Sequence, residues 1–437
     1  MSSLMRLWGV ESLVATLVFP KQFAKQFDRG QSNVPFGSGN HLLDAFMSGM
    51  PLDLSAEFSH FRNADPDRLH FAAHSHAYWP DATRTAQLQL WDDAARLVDE
   101  KWTQVLGEVW PQVAQGIARH LSLPDPATLV PAPNTHEFVN RLLSALPFDR
   151  APRIVTTDGE FHSFKRQTDR LAEDNLIDIL RVPTEPFAGL TQRIADAVNR
   201  HKPDMVFVSQ VFFNSGYALP DLAALIDAIA APGKLVVIDG YHGFLALPVD
   251  FSKFADRAFY LAGGYKYAMA GEGACFMHCP SGFAPRPRNT GWYASIATLS
   301  GPQDKVGYST DGWRFMGATF DPSGLYRMRA SLQWMAAQGL DAGKIHAHVT
   351  ALQKIFLKGI ETAPMGLFDP AHLVVPAHEM SRGNFLTFEH PDAAAWQAQL
   401  KQNNIVVDVR GNRLRVGFGL YHHAGDVERL LQRLRKL

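Results

Sequence analysis

Residues 258–278 read AFYLAGGYKYAMAGEGACFMH, and a single lysine, Lys266, stands there between two tyrosines. One apolar run (258–262) precedes it, a second (274–278) follows, and glycines flank it on both sides. A surface lysine usually has polar neighbours, so this one is either a buried structural cation or a chemical tool. Similar short runs, apolar and rich in β-branched residues, lie upstream: RIVTT at 153–157, MVFVS at 205–209 and LVVID at 235–239. Helical segments such as PDLAALIDAIAA (220–231) separate some of them. Runs that are apolar throughout indicate parallel strands covered on both faces, which predicts an α/β layer fold. Ligands of open α/β sheets sit beyond the carboxyl ends of the strands. The residues just after these runs are polar: 157–163, Ser209 and Gln210, 239–242, and 263–266.

Outward from that centre the pattern changes twice. Residues 83–121 repeat apolar side chains at helical spacing. After about residue 320, the helical stretch GLYRMRASLQWMAAQG leads to GNFLTFEH, NIVVDVR and RLRVGFG, with helices between and after them. That order fits a small α+β unit. The expected division is an irregular or helical arm (1–65), a large α/β domain (66–320) and a small C-terminal domain (321–437). The apolar start, MSSLMRLWGVESLVATLVF, is interrupted by Glu11 and reads as a short helix packed on the body or on a partner subunit. No run reaches the roughly 18 apolar residues of a membrane helix. The chain has 437 residues, 46% hydrophobic and 19% charged, enough for two or three cored domains. Its net charge of −1 argues against a protein built for nucleic acid or an anionic membrane. The two cysteines, Cys275 and Cys279, share one segment, so a reducing, cytoplasmic setting is expected and a disulfide framework is not.

Asp239 ends one strand run, and Lys266 follows the end of the next. An acid and a lysine meeting at one sheet edge form a plain buried ion pair or serve pyridoxal 5′-phosphate. That cofactor needs a lysine for a Schiff base with its aldehyde and a carboxylate to keep its pyridine nitrogen protonated. Its phosphate needs a cradle. Asn134, Thr135 and His136 stand where a helix is about to begin, suited to an anion, although an ordinary N-cap reads the same way.

Together the set Thr135, Phe161, Asp239, His242 and Lys266 resembles the fold-type I pyridoxal-phosphate enzymes of the class V aminotransferase group, and within it the kynureninases. DGYHG (239–243) resembles the aspartate-x-x-histidine motif, and GYKYAMAGEG the tyrosine-lysine-tyrosine and glycine-rich turn. GWYA (291–294), SQVFFNSGY (209–217) and FAAHSHAYWP (71–80) resemble further family segments, and the likeness runs from about residue 68 to the C-terminus. The resemblance implies a large domain with a mostly parallel seven-stranded sheet, a small C-terminal α+β domain and a homodimer with sites at the subunit interface. It implies that Lys266 bonds the cofactor and later moves the substrate Cα proton, and that Asp239 pairs with the ring nitrogen. Phe161 would stack on the ring, with Ser209 and His242 near its oxygen. Asn134, Thr135, His136 and Tyr265 would serve the phosphate side, and Trp292 and Thr319 would be supplied by a partner chain. Arg415 would bind the substrate α-carboxylate through its planar fork. Ser75 and His76 would shape the substrate pocket.

The implied reaction is hydrolytic Cβ–Cγ cleavage of a kynurenine-type amino acid. The same lysine, aspartate and arginine would also serve an aminotransferase, a related lyase or an epimerase. A non-catalytic relative used for binding is the remote alternative. The sequence departs from kynureninases at Phe164, where they carry an aspartate, at Ser295, where a histidine is expected, and at Thr319, which aligns with an asparagine. Cysteine desulfurases need a cysteine in the C-terminal half, and none follows Cys279. His74 with His76, His136 with His162, and His422 with His423 could suggest a metal site, but no HxxxH or CxxC spacing supports one.

Overall fold

The apolar runs form one sheet. The computed structural model describes residues 51–298, 304–379 and 381–437, so the helix expected near the N-terminus lies outside the described residues. In chain order the first strands are β1 (Leu69–His70), β2 (Leu129–Ala132), β3 (Arg153–Thr157), β4 (Asp178–Val182), β5 (Met205–Ser209), β6 (Leu235–Asp239), β7 (Phe259–Gly263) and β8 (Cys275–His278). Seven of them make the large sheet, in the order β2-β8-β7-β6-β5-β3-β4. Strands β3 to β7 are mutually parallel, and β8 runs antiparallel to both β7 and β2. The reversal has a simple cause. Parallel return needs a crossover of roughly a dozen residues or more, and the link between Gly263 and Cys275 is too short and too tightly turned.

Helices α1 (Ala82–Leu97), α2 (Trp110–Leu121), α3 (Thr135–Ser144), α4 (His162–Glu173), α5 (Leu190–His201) and α6 (Leu222–Ile229) accompany this sheet. Every residue of β5 and β7 is buried, as expected for strands covered on both faces. β4 is an edge strand in which exposed residues alternate with more covered ones, and it carries Asp178 and Arg181. Its weaker apolar signal explains why no strand was expected there. Helix α7 (Ser323–Ala337) packs against α1 and α2, and Leu325, Tyr326, Met328 and Leu332 belong to the large core.

The C-terminal part contains α8 (Ala342–Thr362), β9 (Phe385–Glu389), α9 (Ala393–Gln402), β10 (Ile405–Val406), β11 (Asp408–Arg410), β12 (Arg413–Gly417) and α10 (Ala424–Leu434). Strands β11, β12 and β9 form an antiparallel sheet in that order. A second core gathers Leu352, Phe356, Phe388, Leu414 and Val427, and it includes Leu69 and Phe71 from far upstream. Those residues join it because β1 pairs in parallel with β10, Leu69 opposite Ile405, and Ala72 bridges to Gly417. Among the described residues no helix is long and apolar enough to cross a membrane.

Candidate active site

Strand register carries the two expected groups to one edge. Asp239 is the last residue of β6, paired with Ser209 on β5 and with Leu261 on β7. Lys266 follows the end of β7 after Gly264 and Tyr265 and is 6% exposed. Its Nζ lies 2.7 Å from His242 Nε2. Aromatic rings enclose it: Nζ is 4.5 Å from the ring centroid of Tyr241, 5.7 Å from that of Tyr265 and 5.8 Å from that of Phe161. Burial removes water from the ammonium and lowers its pKa to about 7, although the Asp239 charge works the other way. The Asp239 carboxyl is raised by its own burial, with the Tyr241 N–H (2.9 Å to Oδ1) and the Lys266 charge opposing. Burial, Lys266 and Arg415 together hold His242 well below the usual histidine range, so its ring is neutral at pH 7.

Buried polar atoms without a partner mark the same region: Nδ1 of His242, Nδ1 of His74, Oη of Tyr267 and Nδ1 of His136. Buried polar groups in folded proteins are normally satisfied, so these fit a bound polar group. At the start of α3, Asn134 Oδ1 accepts the N–H of Glu137 at 3.1 Å, so the expected N-cap is present. The first N–H groups of a helix have no intrahelical partner, and Thr135 and His136 are placed there. A planar group with an aldehyde, a ring nitrogen and a phosphate could be held by Lys266, Asp239, the surrounding rings and this helix start.

The pattern of the family described as aminotransferase class-V matches residues 112–430. This chain belongs to the class-V aminotransferase family. A kynureninase of Deinococcus radiodurans is 27% identical over 361 residues, covering 77% of this chain and 83% of that one. A cysteine desulfurase of Dickeya dadantii is 26% identical over 227 residues, 52% of this chain and 54% of that one. Among solved structures, the cystine C-S lyase C-DES, in complex with its product cysteine persulfide, superposes with a TM-score of 0.72 at 19% identity. That superposition covers 84% of this chain and 97% of the lyase. A C-DES mutant with glycine covalently linked to its PLP cofactor gives a TM-score of 0.71. These likenesses show that the large sheet and C-terminal unit have the fold-type I architecture.

Within this class-V chain, further expected residues reach the lysine segment. His76 stacks on Tyr265 at 5.0 Å, Ser75 Oγ lies 3.2 Å from His76 Nδ1, and the Ala77 N–H donates to the Tyr265 carbonyl. Arg415 is 3% exposed, which rules out a surface charge at a strand edge. Its fork is already engaged: Nε and Nη2 lie 2.5 and 2.6 Å from the two oxygens of Asp408, and Nη1 donates to the Phe213 carbonyl. Thr319 lines a cavity with Pro133 and Glu137, on either side of the start of α3. Trp292 is 43% exposed and stacks on Tyr293, and Thr319 is exposed beside the same tyrosine.

Two acids at the site carry no motif, Glu160 fully buried and Asp408 13% exposed. Glu160 accepts hydrogen bonds from Thr157 Oγ1 and Ser209 Oγ, both at 2.6 Å, and burial pushes its pKa up to about 8. Ser209 therefore serves Glu160 in this structure. The second acid, Asp408, also faces the buried ring of His74, whose Nε2 is 3.3 Å from Oδ1. The only sequence signal for Glu160 was its place among polar residues after β3. Of the remaining histidines, His422 is a core residue that takes the Gly419 N–H and bonds the His70 carbonyl. His423 caps α10 with Asp426. Among the described residues no group of three histidine, cysteine or acidic side chains could hold a metal ion.

Gly263 is needed for close approach. A Cβ there would lie 2.2 Å from Tyr241 Oη and 2.5 Å from Cys275 Sγ. Gly263→Ala is expected to displace the ring covering Lys266 and to destabilise the protein by about 1–3 kcal/mol. Urea unfolding measures this, and an unchanged midpoint would mean that Tyr241 is not confined.

Proposed function

We propose that this class-V enzyme binds pyridoxal 5′-phosphate at Lys266 and cleaves the Cβ–Cγ bond of a kynurenine-type amino acid with water. The observation that carries the reading is the dry, aromatic setting of Lys266, with a neutral His242 at 2.7 Å and the Asp239 carboxyl at the neighbouring strand tip. When bound, the cofactor's protonated ring draws electrons away from the substrate Cα. Asp239 holds the proton on the ring nitrogen, and Phe161 stacks on the ring. The start of α3, with Asn134, Thr135 and His136, and Tyr265 hold the phosphate. Lys266, with a pKa near 7, has an unprotonated amine available at neutral pH to anchor the aldehyde and then to move the Cα proton. Arg415 orients the substrate carboxylate, and Ser75 and His76 border the side-chain pocket. Trp292 and Thr319, both facing outward, complete the site of a second chain in a homodimer. The pocket departs from the kynureninase pattern where Phe164 stacks face to face on Phe207 at 3.8 Å, well inside the core.

Aminotransfer uses the same residues and is the second reading. Desulfuration is disfavoured by the thiols: Cys275 and Cys279 are buried, and burial pushes both up to about 12. The test begins with the visible spectrum of the purified protein before and after borohydride. A band that borohydride removes supports the cofactor, and a protein colourless even with added pyridoxal phosphate rejects it. L-kynurenine, L-cysteine and an amino acid with a keto acid are then supplied separately. Release of anthranilate and alanine from the first supports the proposal; keto-acid exchange alone supports the second reading, and sulfide from the second overturns both.

A further inference from the structure

The arginine expected to receive a substrate carboxylate already holds one. Asp408 and Arg415 are direct partners across β11 and β12, and their contact is fork to fork. That geometry fills the Nε–Nη2 edge of the guanidinium with two parallel hydrogen bonds, the bidentate contact a substrate carboxylate would make. The Phe213 carbonyl accepts a hydrogen bond from Nη1. An incoming carboxylate must therefore displace Asp408 or share Arg415 with it.

A second cation stands where Asp408 could go. Arg410 lies two residues along β11, so it projects from the same strand face. Its Nη2 is already 3.1 Å from Asp408 Oδ2. Its side chain is 42% exposed and lines a cavity of about 530 Å³ together with Glu160, His162, Phe213 and Arg413. Charge arithmetic agrees. His74, fully buried beside Asp408, is held neutral by that burial, with its pKa lowered to about 4. Arg410 and Arg415 then face one carboxylate, leaving one positive charge that one substrate carboxylate would balance.

We propose that Asp408 is an internal competitor for the substrate carboxylate, and that Arg410 takes Asp408 over when that carboxylate reaches Arg415. Asp408 and Arg410 are thus specificity residues: together they set how strongly the site demands a carboxylate on its ligand. The inference rests on the reading that the ligand is an amino acid bound through Arg415.

The experiment uses the full chain loaded with pyridoxal phosphate. Dissociation constants are measured by calorimetry for L-alanine and for L-alaninamide, which lacks the carboxylate. Asp408→Asn keeps a hydrogen-bond acceptor and removes the charge. It is expected to tighten L-alanine by about tenfold and to leave L-alaninamide within about twofold. Arg410→Gln is expected to do the opposite, weakening L-alanine several-fold (roughly threefold or more) with L-alaninamide unchanged. The second variant sits at the cavity wall and keeps the test alive if the first does not fold. Weaker L-alanine binding in Asp408→Asn, or equal shifts for both ligands in either variant, would show that these residues only hold Arg415 in place. A protein with a borohydride-sensitive band but an unchanged ratio of the two constants overturns the competitor and leaves the cofactor reading intact. A colourless protein that binds neither ligand overturns both.

Discussion

Lys266→Ala is expected to lose the borohydride-sensitive band and to reduce turnover by about four orders of magnitude or more, with the fold retained. No other described lysine shares its setting. Its amine is covered by three aromatic rings and touches only a neutral imidazole at hydrogen-bond distance. That setting costs stability. The folded pKa of about 7 is below the ordinary lysine value of 10.5, so between those values the unfolded chain binds a proton that the folded chain does not. Wild-type stability without cofactor should therefore rise with pH through that window, and the penalty is full below it. Lys266→Met, which keeps the volume, should remove that slope and be at least as stable as wild type at pH 7. Urea unfolding of cofactor-free protein at pH 7 and pH 9.5 checks it. A variant that unfolds more readily at pH 7 would make Lys266 a structural cation, the alternative that its sequence context left open.

Asp239→Asn should give the second largest loss, about two to three orders of magnitude. Asparagine still accepts the Tyr241 N–H, so the strand end should survive. What disappears is the negative charge that raises the Lys266 pKa and would hold a proton on the cofactor nitrogen. The limb of the pH–rate profile that reports Lys266 should then move below about 7. An unmoved limb would mean that Asp239 and Lys266 are electrically independent. Burial of Lys266 without its counter-charge predicts a downward shift; an upward one contradicts the whole placement.

The reach of the sequence follows from which forces are local. The large sheet was legible because β3, β5, β6, β7 and β8 are apolar on both faces, a signal contained in each strand alone. Given those strands, a chemical rule about strand ends located Asp239, His242 and Lys266 together. β4 escaped because one of its faces is open and its residues are mixed. Glu160 and Asp408 escaped for another reason. An acid is ordinary in a sequence, and only tertiary packing gave these two their settings: Glu160 buried between Thr157 and Ser209, Asp408 mostly covered through the register that sets it opposite Arg415. The fork of Arg415 was expected from resemblance, but its occupancy depends on a hairpin register that no short motif states. The seating of His74 on Phe385 at 4.7 Å is likewise a product of two distant segments meeting.

The parallel pairing of β1 with β10 has a kinetic side. Leu69 and Phe71 emerge from the ribosome long before their partners Ile405 and Val406. Until then those apolar side chains have no native place, because the core that buries them has not been made. Contacts so far apart in sequence are slow to form, and waiting apolar segments are where chains of this size stray or stick to one another. The C-terminal unit is therefore closed by a piece of chain made long before the rest of it. Chaperone demand during expression should fall on that piece, and a mutation softening Leu69 or Phe71 should cut soluble yield before it changes any property of the finished catalyst.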